Sequence, residues 1–341
     1  MIELVRTGLY AHWVDGGRYN VQRQGYSQSG ALDWLHYELA NALCGNQKTK
    51  PCIEVLGGNF IIKLQQSCWL SVTGARAEVS VNNNLIDMNS ACWVNAGSTL
   101  TIGNVNVGWV NYIGFATPMT LNLRYNSVCN VQRELPDKER ANQPVLTGDN
   151  AKVQFKVDDD TASKSHNFVA FLPNSPVVLQ QFSANLACIE HGDVLSVPVQ
   201  LSYQSQRFDL SAQSLFFTHE YTVSAQFDRM GMRLEGVPIR CKNHTLSSQA
   251  IAYGAIQITG EGLPIVMRND RQTIGGYPVI GTVSRVGMAM LAQASTGQKI
   301  TFVPSYIDDN LWQYQRCRLA LETVCESAML FLESNNLNVP T

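Results

Sequence analysis

The feature that most constrains the fold of this sequence is a series of short, apolar, β-branched segments separated by turns. They recur at spacings of about 8–12 residues, which is typical of β-barrels and β-sandwiches. Three consecutive asparagines, Asn82 to Asn84, predict a hairpin turn, because asparagine tolerates the left-handed backbone of tight turns. The clearest segments are residues 60–64, 69–72, 77–81, 100–102 and 109–113.

Two segments instead have the period of an amphipathic helix. Leu32, Leu35, Leu39 and Leu43 fall on one face of segment 31–43, and Gly45 follows as a stop signal. Residues 308–333 carry a second apolar stripe. We therefore predict a mostly β protein with a few helices, one of them at the C-terminus.

The composition changes between residues 133 and 166, where charged side chains cluster. This change predicts a boundary between two β-rich parts, and 341 residues are enough for two ordinary domains. The predicted organisation is a first β-barrel-like half at 1–132, a linker at 133–166, a second half at 167–306 and a C-terminal helix at 307–341.

Charge and hydropathy exclude several classes of protein. The formal net charge is −2, so the sequence lacks the basic surplus that nucleic-acid binding requires. No apolar run is long enough to span a membrane, and the first residues resemble a strand rather than a signal peptide. The nine cysteines include no C-x-x-C pair. We interpret them as small buried side chains, and we expect a cytoplasmic protein with no nucleic-acid or membrane partner.

Several familiar motifs are missing from the sequence. It has no G-x-x-x-x-G-K-[ST], so this chain carries no P-loop for ATP. The six histidines form no i, i+4 pair, so no metal site is predicted. Residues 287–290, Gly-Met-Ala-Met, resemble a biotin attachment loop but lack its lysine. We therefore expect no biotin attachment site and no covalently bound cofactor.

Four segments combine glycines with hydrogen-bonding side chains: residues 15–33, 227–234, 253–258 and 269–278. Glycine turns and helix starts expose backbone amides to an anion or a carbonyl oxygen. Arg229 and Arg233, four residues apart, present guanidinium groups that suit a carboxylate or a phosphate. From local features alone, a capped helix, a surface ion pair and a solvent loop explain the same segments.

The strings DGGR, SGALD, DRMGMRL and QTIGGYP occur here in that order. Together they resemble the carboxyltransferase subdomain family, which includes the C-subunit of 5-oxoprolinase. The family's older label is allophanate hydrolase subunit 2, and it also forms the C-terminal half of the urea carboxylase carboxyltransferase domain. The similarity covers most of residues 4–120 and 205–305. The resemblance implies two cyclophilin-like β-barrel domains.

The resemblance also implies a function and partners. Relatives act in a complex that opens 5-oxoproline to glutamate with ATP, or move a carboxyl group from biotin to urea. It implies a partner similar to the 5-oxoprolinase B-subunit (allophanate hydrolase subunit 1), together with an A-subunit. The expected ligand is a small amide or ureido compound, and ATP is used by the complex. The rival interpretation is a non-catalytic regulatory or scaffolding subunit that keeps the fold and the partner surface.

Given the resemblance, we assign candidate roles to the polar residues of the four segments. The reaction needs fixed donors that stabilise charge on a carbonyl oxygen, and groups that orient donors or move protons. The candidate catalytic residues are Asp15, Asp33, Arg229 and Tyr277. The candidate substrate-binding residues are Arg18, Ser29, Arg233, Gln257, Asp270, Gln272, Thr273 and Gly276.

Overall fold

The computed structural model describes residues 2–46, 48–116, 121–134, 152–153, 193–242 and 246–334. These residues form eighteen strands and four α-helices, so the predicted mostly β fold is confirmed. Apart from residues 133–134 and 152–153, the predicted linker at 133–166 lies outside the described residues. The start of the predicted second half, up to residue 192, lies outside them as well.

The chain divides into two compact units, and neither is continuous in sequence. Unit 1 comprises Met1–Gly17, Asp33–Ala187 and Cys317–Thr341; unit 2 comprises Arg18–Leu32 and Cys188–Arg316. This division differs from our linear one, because segment 18–32 is hydrogen-bonded within unit 2. The Ser29 N–H, for example, donates to the Asn269 carbonyl at 3.0 Å. The predicted boundaries remain a prediction.

Unit 1 is built on one curled sheet of nine described strands. They are β1 Ile2–Thr7, β2 Tyr10–Val14, β3 Cys52–Leu56, β4 Gly58–Leu64, β5 Cys68–Val81, β6 Asn84–Ile86, β7 Ala91–Val94, β8 Thr99–Phe115 and β9 Lys152–Val153. The main path runs β2-β3-β8-β4-β1-β9. The long strands β5 and β8 pair antiparallel with three register shifts, which bend the sheet.

Local sequence explains how unit 1 is assembled. Asn82 and Asn83 adopt φ of 51° and 66° in the tight turn that joins β5 to β6, as predicted. Helix α1 spans Trp34–Leu43, and its N-cap Asp33 accepts hydrogen bonds from two backbone amides. The buried face of the sheet is apolar and includes Leu4, Phe60, Ile62, Leu70, Leu100, Ile102 and Ile113.

Unit 2 contains a closed seven-stranded barrel. Its strands are β10 Val194–Leu201, β11 Glu220–Phe227, β12 Gly231–Glu235, β14 Ala255–Ile258, β15 Pro264–Met267, β17 Val279–Val283 and β18 Lys299–Pro304. The order β10-β17-β14-β15-β12-β11-β18 closes through a parallel pairing of β10 with β18. A separate ribbon pairs β13 Gln249–Ala250 with β16 Ile274–Gly275. The second predicted half therefore contains a barrel, whereas the described strands of unit 1 form a curled open sheet.

Three more helices follow in the chain: α2 Leu210–Thr218, α3 Arg285–Ala292 and α4 Ile307–Ser334. Helix α4 lies where the C-terminal helix was predicted. None of the four described helices combines the length and apolar character that crossing a bilayer requires. Six of the eight described cysteines are buried, and all eight are free thiols.

Gly114 on β8 allows helix α1 to approach the sheet closely. A Cβ at Gly114 would stand 2.6 Å from the Ala40 carbonyl oxygen of α1 and 2.9 Å from Ser71 Oγ. We expect Gly114→Ala to lower the free energy of unfolding by about 1–3 kcal/mol, because the helix must move away from the strand. Gly103→Ala, on the same strand, meets its nearest atom at 3.3 Å and serves as the control with the smaller loss. Urea unfolding checks this, and equal losses would contradict it.

Candidate functional site

The central contact of unit 2 is a two-point ion pair between Arg229 and Asp270. Arg229 Nε donates to Asp270 Oδ2 at 2.9 Å, and Nη2 donates to Oδ1 at 3.2 Å. Both side chains are only 10% exposed. The Asp270 amide also donates to the Arg229 carbonyl at 2.8 Å, which ties the turn after β15 to the turn before β12. A two-point guanidinium–carboxylate contact fixes direction as well as distance.

Arg229 also anchors the loop that precedes helix α1 in sequence. Its Nη2 donates to the Gly30 carbonyl at 2.6 Å and lies 3.4 Å from Ser29 Oγ. Asn269 Nδ2 donates to the Ala31 carbonyl at 2.8 Å. Ser29 adopts φ of 57°, a left-handed conformation that needs such support outside glycine. The structure thus brings together three predicted site residues, Ser29, Arg229 and Asp270.

Arg271 extends this cluster and was not among the predicted site residues. Its Nε donates to the Ile251 carbonyl at 3.0 Å, and its guanidinium lies 5.7 Å from the ring centroid of Tyr253. Burial lowers the pKa of Arg271, although Tyr253 and Asp270 oppose that shift. Ser27 Oγ donates to the Arg271 carbonyl at 2.8 Å, which adds a further hydrogen bond between segment 18–32 and the turn after β15. The sequence signal that could have identified Arg271 was its position next to Asp270, a predicted site residue.

Two predicted glutamines meet at Gly275 in unit 2. Gln257, on β14, is only 3% exposed. A Cβ placed on Gly275 would stand 3.0 Å from Gln272 Nε2 and 3.1 Å from Gln257 Nε2. Both carboxamides therefore pack closely around Gly275, where a larger residue would have to displace its neighbours. Ile251 Cδ1, 2.6 Å from the same point, adds an apolar wall.

The other unit 2 candidates differ in exposure. Thr273 is half-buried and its carbonyl accepts from the Ile251 amide at 3.0 Å, whereas Tyr277 is 46% exposed. The Gly276 carbonyl accepts from the Leu246 amide.

The two remaining arginine candidates differ most in exposure. Arg18 is 1% exposed, whereas Arg233 is exposed on β12 between buried Met232 and Leu234. The predicted pairing of Arg233 with Arg229 on one ligand stays a prediction.

In unit 1, the Asp15 carboxylate is hydrogen-bonded to the chain at residues 127 and 128. Its Oδ1 accepts from Ser127 Oγ at 2.6 Å and from the Gly17 amide at 2.8 Å. Its Oδ2 accepts from the Val128 amide at 2.8 Å. Because both oxygens of this buried carboxylate are engaged, the structure shows Asp15 bracing a turn. Its predicted catalytic role stays a prediction.

Asp33, the second unit 1 candidate, pairs with His36, which was not among the predicted site residues. Asp33 Oδ1 accepts from the Leu35 and His36 amides, and Oδ2 lies 2.6 Å from His36 Nδ1. The imidazole is 14% exposed. Burial lowers the pKa of His36, but the charge and the hydrogen bond of Asp33 raise it more, so the pKa lies above 6.5. The D-x-x-H spacing at a helix start could have revealed this pair.

A buried polar network supports Asp33 from the sheet. The Asp33 amide donates to Tyr112 Oη at 2.7 Å, and Tyr112 Oη donates to Glu54 Oε2 at 2.7 Å. His12 Nε2 lies 2.9 Å from the other Glu54 oxygen. Burial and the neighbouring carboxylates raise the pKa of Tyr112 well above 10, so its hydroxyl remains a donor. This network fixes the backbone at the start of α1.

Residues 24–304 match the family described as "Carboxyltransferase domain, subdomain A and B". The chain belongs to this family. The resemblance seen in the four sequence segments is thereby confirmed, and the matched residues include parts of both units.

Individual relatives agree with the family. The chain is 27% identical over 312 residues to the 5-oxoprolinase C-subunit of Escherichia coli (strain K12), covering 91% of this chain and 93% of that protein. It is 26% identical over 326 residues to urea amidolyase of Lachancea kluyveri, covering 89% of this chain and 17% of the relative. It superimposes on the Kluyveromyces lactis urea carboxylase crystal structure with a TM-score of 0.80 and 20% identity, covering 95% of this chain and 29% of that chain. This last similarity supports the fold alone.

The Arg229–Asp270 pair predicts a large, specific loss of stability in single variants. Arg229→Ala should lower the free energy of unfolding by about 3–5 kcal/mol, because it leaves a buried carboxylate without its charge partner. The Arg229→Ala/Asp270→Ala double variant should lose less than the sum of the single variants. Denaturant unfolding of all four forms measures the coupling.

The exposed pair Lys299–Glu220 in the same unit, at 3.2 Å, is the matched control. Its coupling should stay within about 1 kcal/mol. Equal coupling energies for the two pairs would contradict a central role for Arg229.

The Asp33–His36 pair predicts a pH-dependent contribution to stability. Because folding raises the pKa of His36, the contribution is complete below pH 6.5 and is lost as the pH rises through the folded-state pKa. Asp33→Asn keeps a capping oxygen but removes the charge. The stability difference between wild type and this variant should shrink with rising pH in urea unfolding, and NMR titration should show a lower His36 pKa in the variant. A pH-independent difference would contradict the assignment.

Proposed function

We propose that this chain is one component of a 5-oxoprolinase-like complex that uses ATP to open 5-oxoproline to glutamate. Family membership and the similarity to the C-subunit of 5-oxoprolinase over nearly the whole chain support this proposal. In it, the complex hydrolyses a C–N bond and the chain contributes to a site for an amide or ureido group. The expected cytoplasmic location belongs to the same proposal.

The observation that carries the proposal is the convergence of three motif segments in unit 2. Direct hydrogen bonds join Arg229 of DRMGMRL to Ser29 of SGALD and to Asp270, which lies two residues before QTIGGYP. Opening a lactam places charge on its carbonyl oxygen, and rigid donors stabilise that charge best. The 29–31 loop, which hydrogen bonds from Arg229 and Asn269 hold in place, supplies such rigidity.

The contacts favour different roles for different candidate residues. Arg229 and Asp270 already bind each other, so in the proposal they position the 29–31 loop. Gln257, Gln272, Thr273, Gly276 and Tyr277 would supply contacts to substrate, and Arg18 and Arg233 remain binding candidates. In unit 1, Asp33 would act on protons through His36, since histidine is the side chain most often used for proton transfer. Asp15 would act through the turn that it braces.

The proposal assigns ATP to the complex rather than to this chain. The sequence has no P-loop motif and no lysine in its Gly-Met-Ala-Met segment, so neither a P-loop nor biotin attachment is proposed here. The proposed partners are a homologue of the 5-oxoprolinase B-subunit (allophanate hydrolase subunit 1) and a homologue of the A-subunit. Relatives in which this region is part of a longer chain, such as urea amidolyase, are consistent with shared catalysis.

One observation favours the rival function of a non-catalytic regulatory or scaffolding subunit. Both Asp15 oxygens and both Asp270 oxygens accept intramolecular hydrogen bonds. Carboxylates engaged in this way maintain the fold whether or not a reaction takes place. The rival therefore predicts assembly with the same partners but no effect of this chain's polar residues on turnover.

The deciding experiment is reconstitution with the A-subunit and B-subunit homologues from the same genome. Glutamate formed from 5-oxoproline should appear only when ATP and all components are present, and this chain alone should show no turnover. A stable complex without glutamate formation would favour the scaffold. Turnover by the purified chain alone would overturn the shared-complex proposal.

A further inference from the structure

We propose that Arg271 of unit 2 binds the carboxylate group of a small-molecule ligand through its Nη2 nitrogen. The family resemblance implies an amide or ureido group and assigns no residue to a negative charge. The inference deepens the proposed function and rests on it for the natural ligand, because 5-oxoproline carries a carboxylate beside its lactam. The binding of a carboxylate itself is argued from contacts within unit 2.

Arg271 is buried, and no carboxylate forms an ion pair with it. The residue is 6% exposed, and its guanidinium contacts no acidic side chain at ion-pair distance in the described part of the chain. The acid next to it in sequence, Asp270, accepts hydrogen bonds from Arg229 with both of its oxygens. Two guanidinium groups therefore share one carboxylate, although a buried charge is costly unless it is paired.

The buried charges of unit 2 are mainly positive. Among the described residues of this unit, the buried charged side chains are three arginines, Arg18, Arg268 and Arg271, and one acid, Asp270. Burial lowers the pKa of Arg271, and the opposing effects of Tyr253 and Asp270 do not cancel that shift. An anion bound beside Arg271 would favour its charged form and offset the cost of burial.

Three contacts fix the orientation of the Arg271 guanidinium. Its Nε donates to the Ile251 carbonyl at 3.0 Å, and its Nη1 lies 3.4 Å from the Arg268 carbonyl. The ring centroid of Tyr253 lies 5.7 Å from the guanidinium carbon. A group that is already held in place loses little conformational freedom when a ligand binds, so these contacts favour binding.

Nη2 is the nitrogen of Arg271 that remains for a ligand. It makes no hydrogen bond to any residue that the structure describes, and it is not among the nitrogen atoms that are shielded from solvent without a partner. Nη2 is therefore accessible to solvent. Its N–H groups suit a carboxylate, because charge-assisted hydrogen bonds from a guanidinium are short and strong.

The turn after β15 places Arg271 next to predicted binding residues. Gln272 and Thr273 follow it in sequence, and Gln272 is exposed while Thr273 is half-buried. Ile251 connects the two parts of this turn: its carbonyl accepts from Arg271 Nε, and its amide donates to the Thr273 carbonyl at 3.0 Å. A carboxylate bound to Arg271 would therefore lie beside the predicted substrate-binding segment.

The first test compares two ligands that differ in one group. The full-length chain and the reconstituted complex are titrated by NMR with 5-oxoproline and with 5-oxoprolinamide, in which a neutral amide replaces the carboxylate. We expect saturable binding of 5-oxoproline and about tenfold weaker binding of the amide, because a charge-assisted hydrogen bond is lost. Equal binding of the two ligands, or no saturable binding of 5-oxoproline in either preparation, would overturn the proposal.

Variants of Arg271 locate the carboxylate site. Arg271→Gln removes the charge and should weaken 5-oxoproline binding about tenfold. Arg271→Lys keeps the charge but lacks the planar fork, so its affinity should fall between those of Arg271→Gln and wild type. Arg240→Gln removes an exposed arginine of the same unit and is the matched control, which should bind as wild type does.

Unchanged binding in Arg271→Gln, or an equal loss in Arg240→Gln, would refute the assignment of the site to Arg271. The ligand comparison needs no variant, so it decides the question if Arg271→Gln does not fold.

The outcomes separate this inference from the proposed function. Binding of 5-oxoproline that depends on Arg271, in a complex without glutamate formation, supports the carboxylate site and counts against the 5-oxoprolinase assignment. Turnover of 5-oxoproline with unchanged kcat and KM by a complex carrying Arg271→Gln supports the assignment and refutes the carboxylate site.

Discussion

The organisation of unit 2 depends on the two-point contact between Arg229 and Asp270. Without it, the buried Asp270 carboxylate would lose both guanidinium hydrogen bonds, and the Gly30 carbonyl would lose its donor. One guanidinium group therefore sets the relative positions of segments that are 199 and 41 residues apart in sequence. A lysine could neutralise the carboxylate, but its single ammonium group lacks the planar fork that fixes both segments.

The strand pattern and the motif strings could be predicted because both are local in sequence. Alternation and spacing determined the β class, and Asn82–Asn83 identified a turn whose left-handed backbone the structure contains. The membership of segment 18–32 in unit 2 could not be predicted, because it depends on hydrogen bonds to residues more than 190 positions away. Periodicity carries no information about such pairings.

The candidate site was predictable as a set of residue types but not as an arrangement. Ser29, Arg229 and Asp270 do meet, through hydrogen bonds between residues far apart in sequence. No local pattern indicated that Asp15 uses both oxygens to hold a turn, or that the pairing of β14 with β17 shifts register at Gln257. His36 was missed because a single histidine in a helical pattern is usually interpreted as part of the helix face; its significance comes from Asp33, which also caps the helix.

The described polar residues of unit 2 therefore serve two different purposes. Charged groups such as Arg229 and Asp270 are engaged with the protein itself, where an unpaired charge would be most costly. The neutral amides of Gln257 and Gln272 instead pack closely around Gly275, where a Cβ would meet their nitrogens at 3.1 Å and 3.0 Å. Burying a neutral amide costs far less than burying an unpaired charge, so amides tolerate closely packed surroundings that a carboxylate without a partner would not.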